Sequence, residues 1–298
     1  MILLAGGTGH LGGPLIQHLL DGGHHVRVLT RDPSRVRARV PAGVELVAGD
    51  VRDGASLGPV LAGVDTVVSA VTGFGPGGRG PLAVDMRGNR NLVDAATAAG
   101  VEHFVLVSLH GAALDHPMEL YRAKFTAEQA LRESSLAWTI VRPTAFMELW
   151  AGIVGDPLLR GGPAIMFGRG NNPINFVSVI DVARVIGAAL GDPRLPGRTL
   201  EIGGPENLTL TEIVEMIAAA HGLQPRVRRV PLPALRVGAA LLRPVRPDLA
   251  GLVQAAIQMD TTDMTFQQTQ QAGIAHEIGP TRLVDTFGTR ESSRVAVS

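Results

Sequence analysis

The chain has 298 residues, with 27 basic and 27 acidic side chains and no cysteine. Balanced charge gives no global field that would favour nucleic acid or an anionic membrane surface, and the lack of cysteine excludes disulfides, thiol nucleophiles and thiolate-bound metals. The length allows one large α/β core, or one core with a smaller lobe.

The N-terminal apolar run lacks a basic n-region and leads directly into a glycine loop, so we expect no signal peptide. A later apolar stretch, LPALRVGAALLRPV at 232–245, is interrupted by Arg and Pro, well short of the roughly 20 residues that a membrane-spanning helix needs. We expect a soluble cytoplasmic protein, monomer or homodimer, that binds a small-molecule substrate and neither nucleic acid nor membrane.

Strand-type runs alternate with helical stretches through the first half of the chain. Strands are predicted at 2–5, 25–30, 44–49, 65–70, 103–108 and 138–143, and helices near 11–21, 55–62, 81–99 and 118–134. Most strands are continuous apolar runs, as is typical of a sheet covered on both faces. The pattern predicts an α/β fold, a doubly wound parallel sheet of the Rossmann type.

The alternation of apolar strands and helices is interrupted after Pro143. Residues 150–173 are rich in Gly and Pro and are predicted to be mainly loop. A strand and helix follow at 174–190, a strand at 198–204, and a helix at 208–222 that begins with Thr209 or Thr211 as N-cap. We expect a dinucleotide-binding domain at 1–150 and a smaller C-terminal substrate-capping lobe at 151–298, with 174–204 returning to the main sheet.

The glycine loop follows the first strand and opens the first helix, which is the setting that a dinucleotide pyrophosphate needs. GGTGHLG contains both GxxGxxG and GxGxxG, and the helix presents its positive end to the phosphates. The alternative is a glycine-rich turn without a ligand. Predicted contacts are Gly6, Gly7, Thr8, Gly9, His10, Leu11 and Gly12.

The end of the second strand bears on the choice of cofactor. NAD sites commonly place Asp or Glu there, whereas NADP sites place basic residues for the 2′-phosphate. VLTRDPSR puts Thr30, Arg31 and Arg35 near that position. We therefore predict NADP(H), although Arg31 could instead be a solvated loop residue.

Together with these motifs, VELVAGDVRD, DTVVSAV, FVLVSLHGA, KFTAEQALRESSLAWTIVRPTAFME and FVSVIDVARVI resemble the NmrA-like branch of the atypical short-chain dehydrogenase/reductase family. The resemblance covers roughly residues 1–222 and fades afterwards. It implies that Asp50 and Val51 border the adenine and that Ser69, Ala70 and Val71 lie along the nicotinamide path. Ser108, Lys124 and Pro143 complete the implied cofactor contacts.

In the wider family a Tyr-x-x-x-Lys pair donates the proton and holds the nicotinamide ribose. This chain has LYRAK, in which Tyr121 stands three residues before Lys124 and Leu120 holds the expected tyrosine position. The resemblance implies that Lys124 contacts the ribose. Tyr121, the only tyrosine, is a candidate donor or a packing residue, while Ser108 and His110 are rival donors or loop caps.

A second set of side chains suits an apolar wall around the nicotinamide, although ordinary core packing is an equal alternative: Phe146, Met147, Trp150, Met166 and Phe167. Asp181 is interpreted first as support for a helix start. GASLG at 54–58 matches GxSxG, but the preceding strand ends too early for a nucleophile elbow. No zinc motif or P-loop lysine is found, and no metal site is predicted.

The sequence therefore favours an NADPH-dependent reductase of a small carbonyl, enone or quinone-type substrate. The catalytic candidates are Lys124, Tyr121 and His110. The alternative is a non-catalytic NADP(H)-sensing regulatory protein, which the loss of the usual tyrosine supports.

Overall fold

The computed structural model describes residues 1–75 and 77–287. Its centre is a seven-stranded sheet made of β1 (Ile2–Ala5), β2 (Val26–Thr30), β3 (Glu45–Ala48), β4 (Thr66–Ser69), β5 (His103–Val107), β6 (Ala137–Pro143) and β10 (Arg198–Ile202). The strand order is β10-β6-β5-β4-β1-β2-β3, and every neighbouring pair is parallel. The order reverses between β1 and β4, which makes that junction the topological switch point.

Helices cover both faces of this sheet. α1 (Gly12–Asp21) and α6 (Val179–Gly191) lie on one face, and α3 (Asn89–Ala98) and α4 (Glu119–Arg132) lie on the other. Successive residues of a strand point to opposite faces, so Leu4 packs with α1 and α6 while Leu3 packs with α3 and α4. The predicted Rossmann-type fold is confirmed.

The smaller lobe has two short sheets of its own. β7 (Ala145–Phe146), β9 (Ile174–Val177) and β11 (Asn207–Leu208) form a three-stranded sheet, and β8 (Ala164–Phe167) pairs with β12 (Val227–Val230). The other helices are α2 (Pro33–Val36), α5 (Met147–Leu159), α7 (Leu210–Ala220), α8 (Leu232–Leu242), α9 (Pro247–Thr261) and α10 (Gly273–Glu277).

The segment from 174 to 204 divides between the two sheets. β10 pairs with β6 in the main sheet, whereas β9 lies in the small one. The two-part domain division at residue 150 stays a prediction. Within residues 1–75 and 77–287, no helix has both the length and the apolar character required to cross a bilayer.

The prediction of loop through 150–173 is wrong, because most of α5 and all of β8 lie there. Trp150, Ala151, Val154 and Leu158 bury one face of α5 in the core of the small lobe. Gly155 permits close contact with α7, since a Cβ built there would lie 2.4 Å from the Cδ1 atom of Ile217. The glycine that suggested a break therefore lies inside a helix, at a close contact with the Ile217 side chain.

Two other predicted helices have a different form. The stretch 81–99 begins as a π-helical segment, Leu82–Gly88, before it continues as α3. The stretch 55–62 is replaced by the short 3₁₀ turns Gly54–Ser56 and Pro59–Leu61. At the predicted helix 208–222, Thr209 is the N-cap and shares a capping box with Glu212.

Candidate cofactor and substrate site

The glycine loop is closely packed at two of the three glycines of its GxxGxxG motif. Gly6 has a φ of +95°, and a Cβ there would lie 2.5 Å from the carbonyl oxygen of Ala70. A Cβ on Gly12 would lie 2.3 Å from the carbonyl carbon of Gly7. At Gly9 the nearest atom would be the oxygen of Gly6, at 3.4 Å. Gly6 and Gly12 therefore shape the turn, and Gly9 leaves space open above it.

A cavity of 560 Å³ extends from this loop along the carboxyl ends of β4, β5 and β6 towards α9. Its position at the switch point is where doubly wound sheets bind their ligands. The structure brings together many of the predicted site residues around it: Gly6, Gly9, His10, Leu11, Ala70, Val71, Ser108, His110, Tyr121, Lys124 and Pro143.

The remaining predicted residues do not line the cavity, and their contact with a cofactor stays a prediction: Gly7, Thr8, Gly12, Thr30, Arg31, Arg35, Asp50, Val51 and Ser69. Several follow β2 and β3, beyond the glycine loop. The pKa of Asp50 is lowered by its hydrogen bonds with Arg52, and to a smaller degree by Arg31, which places Arg31 near this end. Ser69 is fully buried and donates to Asn89 Oδ1 at 2.6 Å.

Lys124, the only lysine of the chain, is buried and makes hydrogen bonds with two backbone carbonyl groups. Nζ donates to the carbonyl oxygens of Val71 and Val107, each at 2.9 Å, and lies 3.2 Å from Asp85 Oδ1. Two of its three N–H donors make hydrogen bonds, and the Asp85 contact is an ion pair, because Asp85 Oδ1 has no hydrogen-bond partner within the described chain. Lys124 ties the ends of β4 and β5 to the π-helical segment, and its third donor is the one that a ribose contact would use.

Asp85 was not identified by the sequence reasoning. It is fully buried, and burial raises the pKa of its carboxyl group while the charge of Lys124 lowers it. Its Oδ2 accepts from the backbone N–H of Gly73 at 2.7 Å, which holds the start of the loop between β4 and the π-helical segment. In the sequence, Asp85 is the one acid of PLAVDMRGN, a stretch that was predicted to be part of an ordinary helix.

Tyr121 stacks on His116 with ring centroids 3.7 Å apart and an interplanar angle of 14°. Burial raises the pKa of the Tyr121 phenol, the opposite of the lowering expected for the usual catalytic tyrosine. His116 Nδ1 accepts from the backbone N–H of Met118, and burial lowers the pKa of this imidazole. Both rings are therefore neutral near pH 7.

His110 is positioned at its backbone and its ring. Its N–H donates to the carbonyl oxygen of Pro143 at 2.8 Å, and ring Nδ1 lies 2.8 Å from Glu201 Oε2. Arg142 donates to Glu201 at 3.2 Å and forms two bonds with buried Glu128, at 2.8 and 2.6 Å. The sequence reasoning missed Glu201, the one acid of the strand RTLEIGG, whereas Glu128 lies in KFTAEQ, one of the motifs that carry the family resemblance.

The Ser108 hydroxyl is buried in the cavity lining and has no hydrogen-bond partner among the residues that the structure describes. A buried polar group without a partner is costly, so it points to a bound polar group. The open space above Gly9 and the positive end of α1 suit a pyrophosphate. The residues present therefore fit a dinucleotide.

The apolar wall differs in part from the predicted one. Phe146 and Trp150 line the cavity, but Met147 and Met166 are buried in the core of the small lobe and Phe167 packs against it. α9 supplies additional wall residues that were missed, because the resemblance fades before residue 247: Leu252, Ala255 and Met259. Asp181 is not in the lining. It lies in the first turn of α6 and accepts from the N–H and hydroxyl of Thr281.

The sequence model of a family described as NAD(P)H-binding matches residues 6–193. The chain belongs to this NAD(P)H-binding family. It is also 32% identical over 225 residues to the NAD(P)H azoreductase of Xenophilus azovorans, covering 74% of each chain. With photosystem II assembly factor Ycf39 of Cyanophora paradoxa it is 28% identical, over 79% of this chain and 73% of the relative.

A solved structure has the same fold across almost the whole length. This is the NADPH-dependent quinone oxidoreductase of Escherichia coli in complex with NADPH, with a TM-score of 0.77, 22% identity and coverage of 98% and 100% of the two chains. The resemblance to NmrA-like atypical short-chain dehydrogenases/reductases is confirmed, as is the prediction of an NAD(P)H-dependent oxidoreductase.

Proposed function

We propose that the protein is an NADPH-dependent reductase of a small, uncharged carbonyl, enone or quinone-type substrate. The observation that carries this proposal is the cavity itself. It runs without interruption from the glycine loop to an apolar wall built by Phe146, Trp150 and α9. Its 560 Å³ lies in the usual range for small-molecule sites, and an apolar lining favours a flat, uncharged substrate.

When bound, NADPH supplies the hydride that reduces the substrate. Gly6 shapes the turn, Gly9 leaves the space that a pyrophosphate would take beside the start of α1, and Ser108 offers a hydrogen bond further along the cavity. By resemblance, Lys124 contacts the ribose. Phe146 and Trp150 exclude water from the substrate side.

The preference for NADPH rests on the residues after β2. Arg31 is exposed, and neither an ion pair nor a hydrogen bond of its side chain occurs within the described chain, so it is available to a phosphate. Asp32, the carboxylate that could instead hold a ribose hydroxyl, is engaged as the N-cap of α2, where it accepts from Ser34 Oγ and the N–H of Arg35. Because Arg31 is available and the Asp32 carboxylate is already used as an N-cap, this end of the site favours the 2′-phosphate of NADPH over the ribose hydroxyl of NADH.

The test pairs binding with turnover. NADPH binding is measured by fluorescence, and its oxidation is followed by absorbance with a panel of quinones, enones, aldehydes and azo compounds. We expect tight binding and oxidation with at least one conjugated member of the panel. Failure to bind NADPH would reject the proposal.

A matched glycine pair controls this experiment. Gly9→Val should abolish NADPH binding while the chain stays folded by circular dichroism, because its side chain enters open space in the cavity rather than the protein. Gly13→Ala should bind normally, since a Cβ at Gly13 meets no atom within 4 Å. Unchanged binding by Gly9→Val would contradict the phosphate-loop assignment.

A second candidate is a non-catalytic NADP(H)-sensing protein. Leu120 at the usual tyrosine position supports it, and so does the similarity to a protein named an assembly factor. The same experiment separates the two functions. Tight NADPH binding without oxidation by any compound of the panel would favour the sensor.

A further inference from the structure

Six titratable side chains line the described cavity: His10, His110, His116, Tyr121, Lys124 and Asp263. A reductase must protonate the oxyanion or enolate that hydride addition creates, so one of the groups at the cavity needs to be a proton donor. The surroundings of each decide which group is suited to that step.

Three of them are unsuited to donate. Burial raises the pKa of the Tyr121 phenol, which makes it a weaker acid. Hydrogen bonds from the backbone and hydroxyl of Thr265 lower the pKa of Asp263, which is therefore ionised and can only accept. The Lys124 ammonium is engaged by the carbonyl oxygens of Val71 and Val107 and by an ion pair with Asp85.

The other imidazoles are also poorly placed. Burial lowers the pKa of His116, so this ring is neutral near pH 7. His10 belongs to the glycine loop, at the pyrophosphate end of the cavity. His110 differs from both, because its Nδ1 contacts a carboxylate that is itself held by an arginine.

From these contacts we infer that His110 is the proton donor of the reduction and that Glu201 is its positioning residue. This inference rests on the proposed reductase function. A carboxylate only accepts, so the 2.8 Å contact requires a proton on Nδ1. Nε2 makes no hydrogen bond within the described chain. It is then the ring nitrogen that can donate a proton to a substrate in the cavity that His110 lines.

A bound NADPH would supply a hydride to the substrate carbon, and the electron pair of the carbonyl or conjugated system would then lie on oxygen. The Nε2–H bond of the His110 imidazolium breaks, and its proton bonds to that oxygen. His110 remains as the neutral Nδ1–H tautomer and takes its next proton from solvent, since 31% of its side chain is exposed.

Glu201 can stabilise the Nδ1–H tautomer because its own carboxylate is fixed by Arg142. Arg142 bridges Glu201 on β10 and the fully buried Glu128 on α4, and Arg132 also contacts Glu128 at 3.1 Å. Phe266 packs edge-on against the His110 ring, with centroids 5.2 Å apart. The orientation of the ring is thus fixed by the backbone hydrogen bond of His110, by the Glu201 carboxylate and by the Phe266 ring.

The first test needs neither cofactor nor turnover. In ¹⁵N NMR spectra of the full chain, the histidine signals lost in His110→Asn identify this ring. We expect Nδ1 to be protonated at high pH, and Glu201→Gln to remove the preference for that tautomer. Glu206→Gln, which removes a carboxylate paired with Arg282, is the matched control and should leave the His110 signals unchanged. An Nε2–H tautomer in the parent would overturn the inference.

The second test uses the NADPH oxidation assay. His110→Asn should lower kcat by about 100-fold, and Glu201→Gln by about tenfold or more, with NADPH affinity unchanged. Glu201→Asp, which keeps the charge, should recover part of the loss. Glu201→Gln should remain folded, because Arg142 keeps its two bonds to Glu128.

The two proposals fail in different ways. A parent that binds NADPH but reduces nothing would reject the reductase, while the tautomer measurement would still report on the His110–Glu201 contact. A parent that turns over, combined with a His110→Asn variant of unchanged kcat, would reject His110 as the donor and leave the reductase intact. In that case, a loss of kcat in the Ser108→Ala variant would identify the Ser108 hydroxyl as the proton donor instead.

Discussion

The phenol of Tyr121 lies against His116 and beside Gly111, in surroundings that favour its protonated form. Because it is the only tyrosine, its ionisation can be followed alone by absorbance near 295 nm. A raised pKa in the folded state means that the unfolded chain loses this proton first. Folding stability contributed by Tyr121 is therefore present below the unfolded pKa and declines as pH rises through the folded one.

We expect the native chain to titrate at a higher pH than the chain in denaturant, where the midpoint should be about 10. Circular dichroism at each pH reports whether the chain is still folded. If the titration midpoint of the native chain is at or below that of the denatured chain, the phenol is not buried as described. Tyr121 would then again be a candidate proton donor.

At the scale of one side chain, we expect Arg31 to set the preference for NADPH. Arg31→Glu should weaken NADPH binding by about tenfold or more and change NADH binding little, since the 2′-phosphate is the feature that distinguishes the two cofactors. Titration calorimetry measures both affinities. Arg228→Glu, at an exposed position on β12, is the charge-matched control. Equal affinity of the parent for NADPH and NADH would contradict the assignment.

At the scale of elements, the Lys124–Asp85 pair joins β4, β5 and the π-helical segment. Lys124→Met would leave the fully buried Asp85 carboxylate without its cation, which should lower the free energy of unfolding by about 3–5 kcal/mol. Urea unfolding measures this loss. The double variant Lys124→Met/Asp85→Asn removes both charges and keeps an acceptor for the Gly73 N–H, so it should regain most of the stability.

The same double variant separates the two roles of Lys124. If the lysine also contacts the cofactor ribose, NADPH affinity stays reduced after stability returns, and this is the result we expect. Recovery of both stability and affinity would make Lys124 a structural residue alone. A single variant cannot make this distinction, because lost stability and lost binding would coincide.

Helices and strands were predicted best where the apolar pattern was regular. The strand at 2–5 and the following glycine loop have the predicted positions, because continuous apolar runs and short glycine turns are local features. α5 was missed because Gly155 and Pro157 are usually helix breakers. Here the burial of one face of α5 against α7 in the core of the small lobe outweighs that local preference.

For the whole molecule, the cavity is shared between the main sheet and α9 of the smaller lobe. A ligand that binds only the folded chain stabilises it by an amount set by concentration and affinity, about 2.7 kcal/mol at 100 times Kd. For a chain of 298 residues that corresponds to a rise in Tm of about 4 °C.

We therefore expect NADPH to raise Tm, measured by circular dichroism, by more than an equal concentration of NADH does. Gly9→Val should show no rise with either cofactor. A similar increase in Gly9→Val would mean that NADPH stabilises the chain from a site other than the glycine loop.

The sequence alone determined the Rossmann-type sheet, the glycine loop and the NAD(P)H-binding family, because each depends on spacing within a short stretch of chain. Lys124, Tyr121 and His110 were also identified there, as residue types at the ends of strands and on one helix. Their partners were decided only by the tertiary structure. Glu201 follows His110 by 91 residues and Asp85 precedes Lys124 by 39, so parallel strand pairing and helix packing bring these groups together. The pKa shifts of Tyr121 and Asp85 depend on burial in that packing, which no local pattern encodes.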